Sequence, residues 1–154
     1  MANFHKAKKR IIYNTKTGQL KDCPKGYKAT SLSKDSLLFD SKSEHQIYLR
    51  LKEQEKLGII SNLQLQVTFN LLDKTTWYNN VKQKNEAIRP VTYIADFVFN
   101  RGQDKVICDC KGWILKKDKK TGKEKWNVFI DDIYKLKKKM MLALYTPEYI
   151  FEEL

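Results

Sequence analysis

A chain of 154 residues with 42% hydrophobic, 12% aromatic and 31% charged residues has the size of one domain, roughly 100 to 200 residues, and can bury a proper core. No apolar run approaches the roughly 18 residues needed to cross a bilayer, and the basic start from Met1 to Arg10 has no apolar segment like that of a signal peptide. A membrane span and a secretory leader are therefore excluded on this reading, and a cytoplasmic protein is expected. The 30 Lys and Arg against 18 Asp and Glu leave a formal charge of +12, which points to a polyanionic partner.

The excess is patchy, with lysines gathered in Lys6 to Arg10, Lys116 to Lys125 and Lys135 to Lys139. Patches suit phosphate contacts, each of which releases condensed counterions. A solvated lysine-rich surface is the plainer explanation of the same residues. Cys23, Cys108 and Cys110 cannot all pair internally, which fits a reducing compartment. The two histidines, His5 and His45, lie far from the cysteine pair in sequence, so a structural zinc site is not expected.

Along the chain, residues 1–36 read as a basic arm with a short hairpin around Thr17-Gly18, and residues 37–154 as the main domain. Leu37-Leu38-Phe39 is a short strand, and Asp40-Ser41-Lys42-Ser43-Glu44 has the form of a helix start. The helix then runs to Leu57, with Ile47, Tyr48 and Leu51 at helical spacing and Gly58 as its left-handed stop. From Leu63 to Leu72, apolar Leu63, Leu65, Val67, Phe69 and Leu71 alternate with polar residues, the period of a half-buried strand.

Asp73 to Arg89 reads as an extended loop or hairpin tip, and Pro90 precedes a second strand, Val91 to Phe99. A turn at Asn100-Arg101-Gly102-Gln103 leads to a third, Lys105 to Lys111, so these two should form a hairpin. Ile114 to Trp126 reads as a basic hairpin insert turning at Thr121-Gly122 and projecting into solvent. Asp131-Asp132 opens a second helix, with Ile133, Leu136, Met140 and Leu144 as its buried stripe. Tyr145-Thr146-Pro147 ends that helix, and Tyr149-Ile150-Phe151 is a last strand. Helix, three strands, helix and strand make an α/β sandwich with a mixed sheet flanked by helices.

The chemistry sits on the second and third strands. Asp96 is embedded in the apolar run Tyr93 to Phe99, where an unpartnered carboxylate is costly, so it needs a partner or a cation. Asp109 and Lys111, two apart in the third strand, share a face. If the hairpin register allows, Asp96 lies beside Asp109, and the two carboxylates make an oxygen-rich site suited to magnesium. Glu44, one turn before Ile47 and Tyr48, faces the core side of its helix. Each residue has a plainer role: Glu44 as the reaching-back acid of a capping box with Ser41, Asp109 and Lys111 as an ordinary ion pair, and Asp96 as a strand-end acid leaning into water.

Asp96 followed by Asp109-Cys110-Lys111 resembles the signature of the restriction-endonuclease-like nucleases, an acid and then acid-x-lysine. The longer string of Phe39 to Glu44, Leu63-Gln64-Leu65-Gln66, Ala95-Asp96-Phe97 and Asp109 to Gly112 resembles a phage-borne family of formally unknown function often described as similar to Holliday junction resolvases. The likeness spans residue 37 to the C-terminus, and transposon-end nucleases share the arrangement. It departs at Ala95, where the superfamily often has proline. Gln66 matches a recurrent glutamine with no role assigned.

The resemblance implies a restriction-endonuclease-like αβββαβ core, Asp96 and Asp109 as metal ligands, Glu44 as a further ligand or water-mediated contact, and Lys111 as the group that orients water or offsets charge. It also implies a homodimer that cuts branched DNA with Mg2+, for which Mn2+ would substitute. Lys116, Lys117, Lys119, Lys120, Lys135 and Lys138 are the candidate phosphate contacts, reading shape rather than bases. The competing functions are a basic nucleic-acid-binding accessory protein without catalysis and a nuclease acting on linear DNA ends.

Overall fold

The computed structural model describes residues 10–111, 113–117, 121–122, 124–128 and 131–154; at 29, 113–117 and 124–128 the description is of the backbone. The chain divides into two compact units between Glu53 and Gln54.

In the first unit, β1 (Ile11–Asn14), β2 (Leu20–Asp22) and β3 (Ser36–Phe39) form an antiparallel sheet in the order β2-β1-β3. The hairpin between β1 and β2 turns where the sequence places it. Asn14 Oδ1 accepts from the backbone N–H groups of Lys16 at 3.0 Å and Thr17 at 2.9 Å, and Gly18 takes φ 71°, a conformation that glycine adopts without steric cost. Beyond the hairpin, the segment read as an arm contributes a sheet, because β3 pairs with β1 and buries Ile11 and Phe39. Of the Lys6 to Arg10 cluster, only Arg10 is among the described residues, and its guanidinium donates to the Tyr27 carbonyl at 3.1 Å.

Helix α1 (Lys42–Lys56) buries Ile47, Tyr48 and Leu51, the expected stripe, and Gly58 at φ 72° follows it. His45 is also buried, with its ring 4.6 Å from Tyr13 and 5.3 Å from Phe39. Burial lowers its pKa below the usual histidine value, since a charged imidazolium loses hydration there.

The second unit is built on a mixed sheet in the order β11-β8-β7-β4. β4 (Ser61–Leu72), β7 (Val91–Arg101) and β8 (Asp104–Asp109) run antiparallel to their neighbours, while β11 (Tyr149–Glu153) lies parallel to β8. The alternation in β4 is as the sequence predicts, with residues 63, 65, 67, 69 and 71 turned inward. The β7–β8 turn is tighter than expected: Arg101 pairs with Asp104, and Gly102 supplies φ 62°. Residues 75–88 form a ribbon of β5 (Thr75–Asn79) and β6 (Lys84–Ile88). The expected basic insert is a pair of strands, β9 (Trp113–Lys117) and β10 (Glu124–Val128), with Gly122 at φ 68° between them.

Helix α2 (Asp132–Tyr145) starts at Asp131, whose carboxylate accepts from the Tyr134 N–H at 2.6 Å, a charge-assisted cap at the positive helix end. Its buried face differs from the predicted one. Met141 is the buried residue, with Tyr134, Met140 and Tyr145 packed on the same core, whereas Ile133, Leu136 and Leu144 are exposed. The two stripes lie one residue apart on the helix, roughly 100° of rotation. The tyrosines decide between them: Tyr145 meets Phe69 edge-to-face at 5.0 Å and donates to the Asn70 carbonyl at 2.8 Å, giving both a ring contact and a place for the hydroxyl.

The protein is thus an α/β fold, and its chain order α1, β4, β7, β8, α2, β11 is interrupted by the two ribbons. Among the described residues no helix is long and apolar enough to cross a membrane.

Candidate active site

The site forms at the end of β8, between its neighbours β7 and β11. Phe97 lies opposite Cys108 in the β7–β8 ladder, so one step further Asp96 comes opposite Asp109. On the other side of β8, Glu153 lies opposite Asp109. The strand assigned to β8 stops at Asp109 rather than at Lys111, yet the ladder is carried on: the Leu154 N–H donates to the Asp109 carbonyl at 3.0 Å and the Lys111 N–H to the Leu154 carbonyl at 2.8 Å. Asp109 and Lys111 are therefore held on one face, as their spacing predicts.

Asp96 Oδ2 accepts from the Cys110 N–H at 2.7 Å. Burial raises its pKa; the Cys110 hydrogen bond opposes the rise, Asp109 adds to it, Lys111 offsets part, and the carboxyl ends pushed up to about 6. Asp109 is only 5% exposed and its Oδ2 has no hydrogen-bond partner. The Lys111 ammonium forms an ion pair with that oxygen, without the alignment of a hydrogen bond. Two carboxylates and one amine from separate strand positions thus converge, with the charge of the buried Asp109 oxygen met by the Lys111 ammonium.

Tyr93, Tyr134 and Glu153, which the sequence did not single out, complete the surroundings. The Lys111 ammonium sits 3.4 Å from the centre of the Tyr134 ring, a cation–π contact strengthened by its partial burial. The Tyr134 hydroxyl donates to Glu153 Oε1 at 2.5 Å, and Lys138 donates to Glu153 Oε2 at 2.7 Å. Tyr93 places a buried hydroxyl against Asp109; burial first, then the Asp109 charge, raises its pKa, while the Tyr134 hydroxyl works the other way. Tyr134 is raised likewise, by burial and then by its bond to Glu153. A cavity of about 340 Å³ opens here, lined by Tyr93, Asp109, Lys111, Ile133, Tyr134 and Lys137 among others. The one available signal was a tyrosine in each apolar segment, since a buried Tyr hydroxyl must find a polar partner.

Gln66 also belongs to this neighbourhood. Leu65 lies opposite Phe97 and Val67 opposite Ala95, which puts Gln66 across from Asp96, and its φ is 52°, uncommon for a residue with a side chain.

Glu44 lies in the first unit and does the work of a cap. Its N–H donates to Ser41 Oγ at 3.1 Å, while its Oε2 accepts from the Asp40 N–H at 2.7 Å, the reciprocal pattern of a capping box shifted by one donor. Among the described residues no group of three or more His, Cys, Asp and Glu is arranged to hold a metal ion; within the second unit itself the acids brought together are Asp96 and Asp109.

Of the candidate phosphate contacts, Lys135 pairs with Asp132 at 2.9 Å on the surface and Lys138 is engaged by Glu153. Lys116 and Lys117 lie on β9, where the backbone alone is described, and Lys119 and Lys120 lie outside the described residues.

Fold and site together define an α/β protein with a cross-strand acid pair and an adjacent lysine. Residues 24–146 match the family described as Protein of unknown function (DUF1064), and the chain belongs to that family. No curated protein and no solved structure matches it.

Proposed function

We propose that the chain is a magnesium-dependent DNA endonuclease of the restriction-endonuclease-like kind that hydrolyses phosphodiesters, with branched DNA as its substrate. The observation that carries this reading is the convergence of Asp109, buried and ion-paired with Lys111, with the Asp96 carboxylate. The chain order of helices and strands and the charge of +12 support it.

The donor set fits the metal. Magnesium is held through one or two carboxylates with waters and substrate phosphate filling the other positions, and an all-oxygen pair without sulfur or imidazole suits a hard cation. Asp96 and Asp109 are the residues that would hold it. Bound there, the ion supplies Lewis acidity toward a phosphate oxygen and acidifies a water; manganese supplies the same chemistry.

The protein's own groups do the rest. Lys111 brings an ammonium to the cavity beside Asp109, placing positive charge where phosphorus gathers negative charge during in-line attack. Tyr134 holds that ammonium from the other side, so its position is fixed before substrate arrives. The Cys110 N–H fixes one oxygen of Asp96, which leaves the second carboxylate oxygen to face Asp109. A homodimer would bring two such sites to the two strands of a symmetric junction.

The experiment is cutting of labelled four-way junctions, forks and linear duplexes with and without magnesium, comparing wild type with Asp109→Ala. Cleavage that needs metal and is lost in the variant supports the reading; equal cleavage by both overturns it. The charge alone is equally served by a non-catalytic nucleic-acid binder, which would bind DNA yet show no heat on titration with magnesium. Preference for linear ends over junctions would keep the chemistry and change the substrate.

A further inference from the structure

The ribbon β5–β6 has no part in the chemistry above. It is exposed along nearly its whole length, Asn79 and Glu86 excepted. An isolated two-stranded ribbon buries little and is marginal on its own, so apolar groups on it need a reason. Trp77 is 49% exposed, Tyr78 54%, and Val81 at the tip 94%.

Period-two alternation puts the neighbours Trp77 and Tyr78 on opposite faces. Each face therefore carries one large ring, and the otherwise polar tip between them presents Val81 to solvent. The tip is also held in shape: Asn79 Oδ1 accepts from the N–H groups of Val81 at 3.0 Å and Lys82 at 3.1 Å, and Gln83 takes φ 49°. Glu86 accepts from Asn79 Nδ2 at 3.1 Å and from Lys82 Nζ at 2.7 Å. The ribbon's acid is thus consumed within the ribbon, while Lys74, Lys84 and Arg89 stand in no ion pair among the described residues. What the ribbon offers outward is positive charge and two ring faces.

Phosphate and unstacked bases are the chemistry that this combination recognises: lysines track the backbone and aromatic rings stack on bases regardless of sequence. A ribbon with one ring on each face has room for one strand on each side. From Ile88 to Asp96 the chain runs roughly 27 Å at the rise of an extended strand, the length of about eight base pairs, so one nucleic acid can reach both the ribbon and the acid pair.

We infer that the β5–β6 ribbon is a wedge for unpaired nucleic acid, entering an opened region with Val81 leading and stacking a base of one strand on Trp77 and of the other on Tyr78. The inference rests on nucleic acid being the substrate. It assigns the branched-DNA preference to a place distinct from the acid pair.

The test is binding in EDTA, where no metal-dependent cutting interferes. Labelled probes are a fork with unpaired arms, a single strand and a full duplex of equal length. Trp77→Ala with Tyr78→Ala should weaken fork and single-strand binding by roughly tenfold or more, leave duplex binding within about twofold, and leave the unfolding midpoint unchanged; Trp77→Phe should restore part of the loss. Equal affinities for wild type and the double variant overturn the inference, as does an equal loss on duplex, which means groove docking. Loss of binding to anionic phosphatidylglycerol vesicles with no change on DNA overturns it in favour of a membrane surface. Magnesium-dependent cutting is read separately, so a failure of the nuclease reading leaves ribbon-dependent binding intact, and a failure of the ribbon leaves fork cutting intact in the double variant.

Discussion

Glu44 and Asp109 are two carboxylates with nearly the same exposure, 4% and 5%, and the protein treats them in opposite ways. Glu44 opens α1 and closes a reciprocal set of backbone bonds with Asp40 and Ser41. Asp109 sits beside the half-buried Asp96 and has the Lys111 ammonium as its ion-pair partner. Burial of a charge is tolerated in the first case because hydrogen bonds replace hydration, whereas in the second the lysine and a like charge leave the balance open. Burial alone therefore does not distinguish the two carboxylates; what replaces hydration does, local hydrogen bonds at Glu44 and an ammonium beside a like charge at Asp109.

The largest effect that sharpens this contrast is on activity. Asp96→Ala removes half of the carboxylate pair and should reduce magnesium-dependent cutting by on the order of 10²–10³-fold or more, as loss of a charge-stabilising group does. Junction cleavage under single turnover reads it. A variant that cuts within a few-fold of wild type would move the chemistry away from this pair.

Next comes the pH dependence of the metal-free protein. Asp96 has its pKa raised by burial from the ordinary 3.8 to about 6, so the folded state holds the proton more tightly than the unfolded one. This contribution is neutral below about 3.8, turns destabilising as pH rises through the window, and is complete above about 6, with an upper limit of roughly 3 kcal/mol. Urea unfolding of wild type against Asp96→Asn in chelator isolates it. The stability of wild type relative to the variant should fall from pH 4 to pH 7, and a constant difference would contradict the buried pair.

The smallest effect belongs to the cap. Glu44→Gln keeps the shape but weakens the acceptor and removes the charge at the helix start, which should cost about 1 kcal/mol in stability. Thermal unfolding measures that loss, and cutting should follow the folded fraction. If Glu44→Gln instead abolishes cutting at an unchanged midpoint, Glu44 belongs with the chemistry and the contrast drawn above fails.

Much of this was legible in the residues themselves. The alternation from Leu63 to Leu71 and the spacing of Ile47, Tyr48 and Leu51 each follow one local period, so β4 and α1 came out as predicted. The opposition of Asp96 and Asp109 also followed from a hairpin closed by a tight turn. The face of α2 did not, because two apolar stripes lie side by side on that helix and tertiary partners such as Phe69 and Tyr93 choose between them. Tyr134 and Glu153 escaped notice for the same reason: they lie on α2 and β11, and it is the parallel pairing of β11 with β8 that brings Glu153 beside Asp109. The sequence pattern of Ser41 and Glu44 allowed both a cap and a ligand, and local hydrogen bonding favours the cap.

The parallel pairing of β11 with β8 sets an order of events during synthesis. Tyr149 lies opposite Lys105 and Glu153 opposite Asp109, so the strand bearing Asp109 gains its outer neighbour only after α2 has emerged from the ribosome, a non-local closure of the kind that forms late. A nascent chain stopped before residue 149 carries both acids but lacks the edge that seats Lys111 through Leu154. The seat of Lys111 is therefore completed only once residue 154 has been made.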